Sequence, residues 1–196
     1  MIFLNSTHKT DIKDRIERLN SVFNGARGIY LSGPITTGRK YLNWYCNYGK
    51  YIQDNTKYKE EHYSNIIAVN IDKILSFAKE LPVAENEIII EPASFDVNGW
   101  TQPDYLYYWG RLIEEYIDKI IFMNEWYYSN GCIYEYYVGL KKGIELVNQD
   151  FEPISTEKAI SLIQKSIEEY TSNLIDVPFQ KELLKEIQKY EYEKKQ

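Results

Sequence analysis

Only two of the 196 residues are cysteine (Cys46 and Cys132) and only two are histidine (His8 and His62). With no CxxC pair and so few imidazoles, no zinc or iron site can be assembled from the usual ligands, and metal catalysis is not expected. Two isolated thiols fit a reducing compartment. Positive charge is also in the minority: 23 Lys and Arg stand against 29 Asp and Glu, a formal net charge of -6. That balance is the wrong sign for a protein that rides on phosphate backbones, so duplex nucleic acid is not an expected partner. No apolar run approaches the ~20 residues of a membrane span. Residues 1–4 are too few for the apolar core of a signal peptide, and the expectation is a cytoplasmic protein. What remains is a chain with 44% hydrophobic and 27% charged residues, the profile of one globular domain with at most a small appendage. At this length roughly 70% of the unfolded surface can be buried, so the core needs no covalent staple.

The spacing of Ile12, Ile16, Leu19, Val22 and Phe23 predicts an amphipathic helix over residues 10–23, entered through Thr10 and Asp11 and stopped by Gly25 and Gly28. A short buried strand, residues 28–32, then runs directly into Gly33-Pro34-Ile35-Thr36-Thr37-Gly38-Arg39. A strand that ends in a glycine- and hydroxyl-rich turn is where open α/β sheets place their ligands. Residues 41–52 and 70–81 read as helices, with the polar stretch 54–64 as a loop or insertion between them. Residues 87–92 read as a strand stopped by Pro92, 93–105 as irregular, 106–116 as helical and 118–123 as a third strand. A polar and aromatic loop, 124–131, leads into a helix over 132–146, with Ser129 or Asn130 suited to capping it.

Strand, loop and helix thus repeat three times. The alternation argues for a Rossmann-like (flavodoxin-like), doubly wound parallel sheet flanked by helices. Beyond Pro153, residues 156–170 and 178–190 read as a helical hairpin, the second helix with proline in its first turn. The hairpin is expected to pack on the core or on a partner subunit. The expected division is an N-terminal helix over 1–27, an α/β domain over 28–152 and a helical extension over 153–196. Lys181, Lys185, Lys189, Lys194 and Lys195 alternate with Glu182, Glu186, Glu191 and Glu193, which reads as a solvated helix face.

The chemistry is concentrated in Trp126-Tyr127-Tyr128-Ser129-Asn130-Gly131-Cys132-Ile133-Tyr134-Glu135. A carboxylate stands in the opening turns of a helix, directly after a strand and a glycine-containing loop. Helix N-terminal amides favour negative charge, so Glu135 is expected to be ionised and Ser129 with its neighbours to suit an anion such as phosphate. Periodicity alone favours a glutamate that merely complements the helix dipole; an ionised carboxylate fixed beside an anion site can also act as a nucleophile. Nine of the 19 tyrosines, with Trp109 and Trp126, fall between positions 105 and 137. Such rings suit the stacking of a flat base and equally the packing of a core or a dimer face. Tyr30 reads as core. Trp44 and Arg39 lie within reach of the first turn, Arg39 as a phosphate fork or as a solvated arginine.

Tyr30-Leu31-Ser32-Gly33-Pro34-Ile35-Thr36, then Ile89-Ile90-Glu91-Pro92-Ala93, then Asp118-Lys119-Ile120-Ile121-Phe122-Met123, and finally Trp126 with Ser129, Gly131 and Glu135 follow one another along the chain. In this order the segments resemble the motifs of the nucleoside 2-deoxyribosyltransferase-like superfamily, most nearly its phage and prophage members, over residues 28–147. The resemblance implies cleavage or exchange of the N-glycosidic bond of a nucleoside or nucleoside 5'-monophosphate, with Glu135 attacking C1' of the sugar. It implies that Ser129 holds the 5'-phosphate and that the first-strand loop, Ser32, Gly33, Pro34, Ile35, Thr36 and Arg39, lines the same pocket. Trp126, Asn130 and Gly131 complete the expected substrate-binding set. The expected partners are a nucleoside or nucleotide and further copies of the chain, in a homodimer or larger homo-oligomer; no cofactor, metal or membrane is expected. Members of the family usually carry an aspartate about eight residues before the one that opens the third strand, and counting back from Asp118 gives Gly110. Asp104, Glu114 or Glu115, or Asp96 in the preceding loop, is then expected to stand in as the second acid. Without such a group, protonation of the leaving base loses roughly 10²- to 10⁴-fold in rate. A catalytically impaired nucleotide sensor or sponge is the alternative.

Overall fold

In the computed structural model, which describes residues 6–82 and 84–196, four short strands form the centre of the protein. They are β1 (Arg27–Ser32), β2 (Glu87–Ile90), β3 (Ile117–Phe122) and β4 (Glu145–Asn148), ordered β2-β1-β3-β4 with every neighbouring pair parallel. Residues 1–4, the segment considered as a signal core, lie outside the described residues. Parallel strands covered on both faces are apolar along their length, as the isoleucine runs of β2 and β3 are. Successive residues of β1 point to opposite faces. Ile29 and Leu31 pack with Ile121, Val147 and Ile74 on one side, whereas Tyr30 packs with Ile120, Phe122 and most of the other helices on the other.

The helices are α1 (Lys9–Phe23), α2 (Arg39–Asn47), α3 (Asn55–His62), α4 (Ala68–Glu80), α5 (Gln102–Tyr116), α6 (Asn130–Lys142), α7 (Thr156–Ser172) and α8 (Pro178–Lys194). Ile74 places α4 on the Leu31 face, and Leu112, Ile113, Ile133 and Tyr136 place α5 and α6 on the Tyr30 face. That second core continues without a break into Ile12, Ile16 and Phe23 of α1, Ala159 and Ile163 of α7, and Leu183 and Ile187 of α8. Two lysines of α8 are partnered by carboxylates, Lys181 by Asp176 at 2.7 Å and Lys189 by Glu193 at 3.9 Å. No helix among the described residues is long and apolar enough to cross a membrane.

Some helix ends shift, with α2 closing at Asn47 and α5 opening at Gln102 inside the stretch read as irregular, and two segments differ in kind from the sequence expectation. The polar stretch 54–64 is not a loop: Asp54 caps α3 by accepting from the Lys57 amide at 2.7 Å, and a wider turn, Tyr63–Ile67, carries the helix into α4. No residue of α3 is buried, so the helix has no apolar stripe to betray it. The helix expected over 132–146 ends at Lys142, where Gly143 turns left-handed (φ 71°), and its last residues become the fourth strand. Four residues, Glu145-Leu146-Val147-Asn148, are too few for a period to register.

Candidate functional site

The β2-β1-β3-β4 order means that connections leave β1 and β3 in opposite directions, and a crevice beyond their carboxyl ends is the usual ligand site of such a sheet. Two residues of β1, Tyr30 and Ser32, point to the same face there, toward α6. Ser129 caps α6, its hydroxyl accepting from the Cys132 amide at 3.5 Å. Two turns of helix then bring Glu135 back over β1. The Tyr30 hydroxyl donates to Glu135 Oε1 at 2.8 Å and the Ser32 hydroxyl donates to Oε2 at 2.6 Å. Tyr30 and Ser32 are fully buried, and Glu135 is 6% exposed.

The surroundings of Glu135 favour its protonated form, the opposite direction from the one a helix start would impose. Burial raises its pKa from the ordinary value, and the hydrogen bonds from Ser32 and Tyr30 offset this only in part. The reason is position: Glu135 is the sixth residue of α6, beyond the first-turn amides that stabilise charge, and its carboxyl lies out of water. The Cys132 thiol lies within hydrogen-bonding reach of Ser32 and Ser129, and burial, with the neighbouring Glu135, pushes it up to about 12. Burial and the same carboxyl push the Tyr30 phenol well above its usual range. A carboxyl with two fixed hydroxyl donors and a raised pKa can serve as an acid in its protonated form and as a nucleophile once ionised.

The expected site residues divide into three groups. Ser32, Ser129, Gly131 and Glu135 come together: a Cβ built on Gly131 would lie 3.8 Å from Ser129 Oγ and 3.9 Å from Glu135 Oε1. Asn130 opens the same helix. The first-strand loop is braced from α3 and α4, because Asn70 donates to the carbonyls of Ile35 (2.9 Å) and Thr37 (3.4 Å) and His62 Nε2 bonds the Thr36 carbonyl at 2.8 Å. Gly33 sits tightly against Ile74 and Met123, while Pro34 and Arg39 line a cleft on the α4 face. Arg39 Nε stands 3.7 Å from the Glu169 carboxylate, so a protein anion already faces it.

The third group lies apart from Glu135. Trp126 is a core residue, 3% exposed, stacked on Tyr136 at 5.0 Å and tilted on Phe122 at 4.7 Å, and it presents no face to a base. Asp104 caps α5: one carboxylate oxygen accepts from the Thr101 amide (2.9 Å) and hydroxyl (2.6 Å), the other from the Ser6 hydroxyl (2.8 Å) and Thr7 amide (3.0 Å). It therefore ties the start of the chain to α5 and has no oxygen to spare for a leaving group. Asp96 is exposed and accepts from the Tyr105 hydroxyl at 2.7 Å. Glu114 and Glu115 both engage Arg111. At Gly110 the space of an added Cβ is taken by the Tyr134 hydroxyl, 2.7 Å away. The tyrosines of the 105–137 segment are buried or packed against the core, as in the 4.9 Å stack of Phe95 on Tyr108.

Sequence reasoning missed Tyr30 as a partner of Glu135, although its place two residues before Ser32 on one strand was the available signal. It also missed the clamp on the turn Trp126–Tyr128, which aims α6. The Tyr127 carbonyl accepts from Ser166 Oγ at 2.7 Å, and the Tyr128 carbonyl accepts from the Tyr170 hydroxyl (3.2 Å) and from Gln180 Nε2 (3.0 Å). Tyr128 in turn donates to Glu169 at 2.5 Å. These partners lie 39 to 52 positions downstream, where no local pattern reaches. No group of three or more His, Cys, Asp and Glu suited to a metal ion occurs among the described residues. No protein-family model matches the chain, and neither a curated protein nor a solved structure matches it.

Proposed function

We propose that this chain is a nucleoside 2-deoxyribosyltransferase-like protein with a Rossmann-like (flavodoxin-like) sheet, and that it cleaves or exchanges the N-glycosidic bond of a nucleoside or nucleotide through Glu135. The observation that carries this reading is the buried Tyr30–Glu135–Ser32 constellation at the point where the strand order reverses. Each carboxylate oxygen accepts one hydroxyl and keeps a lone pair free, so the group is oriented before a substrate arrives. Ionised Glu135 attacks C1' as the bond to the base breaks. The bonding electrons leave with the base, which takes up a proton from solvent water, and the sugar remains as an ester on Glu135. Water then attacks C1', its proton passing to solvent, and frees the sugar and the carboxylate; a second base that attacks in place of water and loses its N–H proton makes the reaction a transfer. On this reading the Ser129 hydroxyl, beside Gly131, holds a 5'-phosphate, and a homo-oligomer is the expected assembly.

Incubation with a panel of nucleosides and nucleoside monophosphates, with free base followed by chromatography, tests the reaction. Base release that disappears in Glu135→Ala, with a sugar adduct on the Glu135 peptide by mass spectrometry after quenching, is the expected result. Equal release by Glu135→Ala overturns it. A second reading, nucleotide binding without turnover, is favoured by one observation: the Tyr134 hydroxyl fills the space at Gly110 where relatives of the resembled family carry an acid. On that reading calorimetry shows binding of a nucleotide whose bond stays intact.

A further inference from the structure

On the face of the sheet opposite Glu135, a cleft of about 600 Å³ opens beyond the ends of β1, β3 and β4. Ile74 and Phe77 of α4 and Met123 form its apolar part, and Lys40 of α2 and Lys73 of α4 line it from two different helices. Neither lysine is engaged in an ion pair among the described residues. Arg39 lines the same cleft with Asp72, Glu80 and Glu125, so its cations and carboxylates are equal in number. Burial, and then the charge of Lys73, lower the Lys40 ammonium from its ordinary value, and no carboxylate counteracts them. Two ammonium groups in each other's field along one concave wall offer an anion two charged donors at that point, although the cleft as a whole is balanced. A second mark falls at the rim: Glu125 occupies the left-handed region (φ 65°), which side chains other than glycine seldom adopt and which recurs at ligand clamps.

We propose that this cleft is a binding site for the phosphate group of a small molecule, held between Lys40 and Lys73. The site is separate from Glu135 and Ser129, which lie across the sheet, and it does not depend on the glycosidic reading. A phosphate dianion has the charge to satisfy both ammonium groups at once and oxygens enough to accept from each.

Calorimetric titration of the full chain with sodium pyrophosphate, at ionic strength held constant with sodium chloride, tests the proposal. Pyrophosphate is expected to bind, Lys40→Ala and Lys73→Ala each to weaken it about tenfold, and the double variant to abolish it. Lys79→Ala, on the same helix but outside the cleft lining, is expected to bind as the parent does. A nucleoside 5'-monophosphate is expected to compete with pyrophosphate while the unphosphorylated nucleoside does not. Competition stronger than that of inorganic phosphate identifies a phosphate ester as the natural ligand, and equal competition identifies the free anion. No binding above the chloride control, unchanged binding in both lysine variants, or loss of binding in Ser129→Ala instead overturns the proposal.

Discussion

The chemistry of Glu135 makes it both the best candidate for reactivity and a liability for stability. Its raised pKa means that, between its value in the unfolded chain and its value in the fold, the folded protein holds the proton more tightly. Unfolding free energy therefore falls as pH rises through that window, and the full cost is present above it. Glu135→Gln, which keeps the shape and removes the charge, is expected to raise the melting temperature at pH 8 by roughly 2–4 °C, equivalent to about 1 kcal/mol. At about pH 3, below the ordinary glutamate pKa, where both states are largely protonated, the variant and parent should melt together; scanning calorimetry at the two pH values checks this. The same shift moves the rising limb of any Glu135-dependent rate above the ordinary carboxylate range, because only the ionised form attacks. Gly131 offers a cleaner probe of access. An added methyl meets Ser129 Oγ and Glu135 Oε1 at ordinary van der Waals distances, 3.8 and 3.9 Å. Alanine is also the better helix former by about 1 kcal/mol. Gly131→Ala is thus expected to melt no lower than the parent yet to bind substrate at least tenfold more weakly, a combination that separates occupancy of the site from damage to the fold.

Among the elements, the two ends of the α/β core are held by different means. At the N-terminal end, Asp104 joins the segment before α1 to the start of α5. Burial alone would raise its pKa, but the bonds from Thr101, Ser6 and His8 outweigh it, and the carboxyl is held well below the usual aspartate range. Stability from this group is fully present above the ordinary aspartate pKa and is lost only as pH falls through the depressed value. Asp104→Ala at pH 7 removes a helix cap and leaves buried donors unpaired, an expected loss of about 2–3 kcal/mol. The difference from the parent should narrow only in strong acid, which urea unfolding across a pH series measures. α1 is thereby a fixed part of the structure, as the 4.8 Å stack of Phe23 on Tyr116 and the bond from the Tyr116 hydroxyl to the Ile16 carbonyl (3.1 Å) also show. At the other end, α7 and α8 hold the turn before α6 by its carbonyls. Chain positions from 127 to 180 are thus joined by side chain to backbone bonds, and the orientation of Glu135 follows from contacts that its own helix does not make.

For the molecule as a whole, the continuous core on the Tyr30 face has a direct consequence. Ile163, Ala159, Leu183 and Ile187 belong to the same buried cluster as Ile133 and Tyr136. Residues 1–152 expressed alone are expected to bind a hydrophobic dye and to lack a cooperative melt, because the outer side of α6 would lose its cover. Circular dichroism and dye fluorescence distinguish this from an independently stable α/β unit. The alternating pattern of strand, turn and helix was legible because periods of two and of about 3.6 are local properties. They located α1 and three of the four strands, and residue type offered Ser129 or Asn130 as the cap of α6, of which Ser129 is the one that caps it. They did not reach α3, which buries no residue fully and carries no apolar stripe, or β4, which is four residues long beyond a left-handed Gly143. Glu135 and Ser32 could be singled out from the chain, since each stands at a strand or helix end where open sheets carry ligands. Asp104, Asp96 and Trp126 could be named as well but not excluded, because whether a carboxylate caps a helix or faces a cleft depends on neighbours distant in sequence. The sequence by itself determined the helix and strand periods, the charge balance and the residue types at the carboxyl ends of the strands. The tertiary structure alone decided that Tyr30 and Ser32 grip Glu135 and that water is shut out around it. Desolvation and hydrogen-bond partnership are set by groups about 100 residues apart, so the charge state of a side chain belongs to the packed molecule.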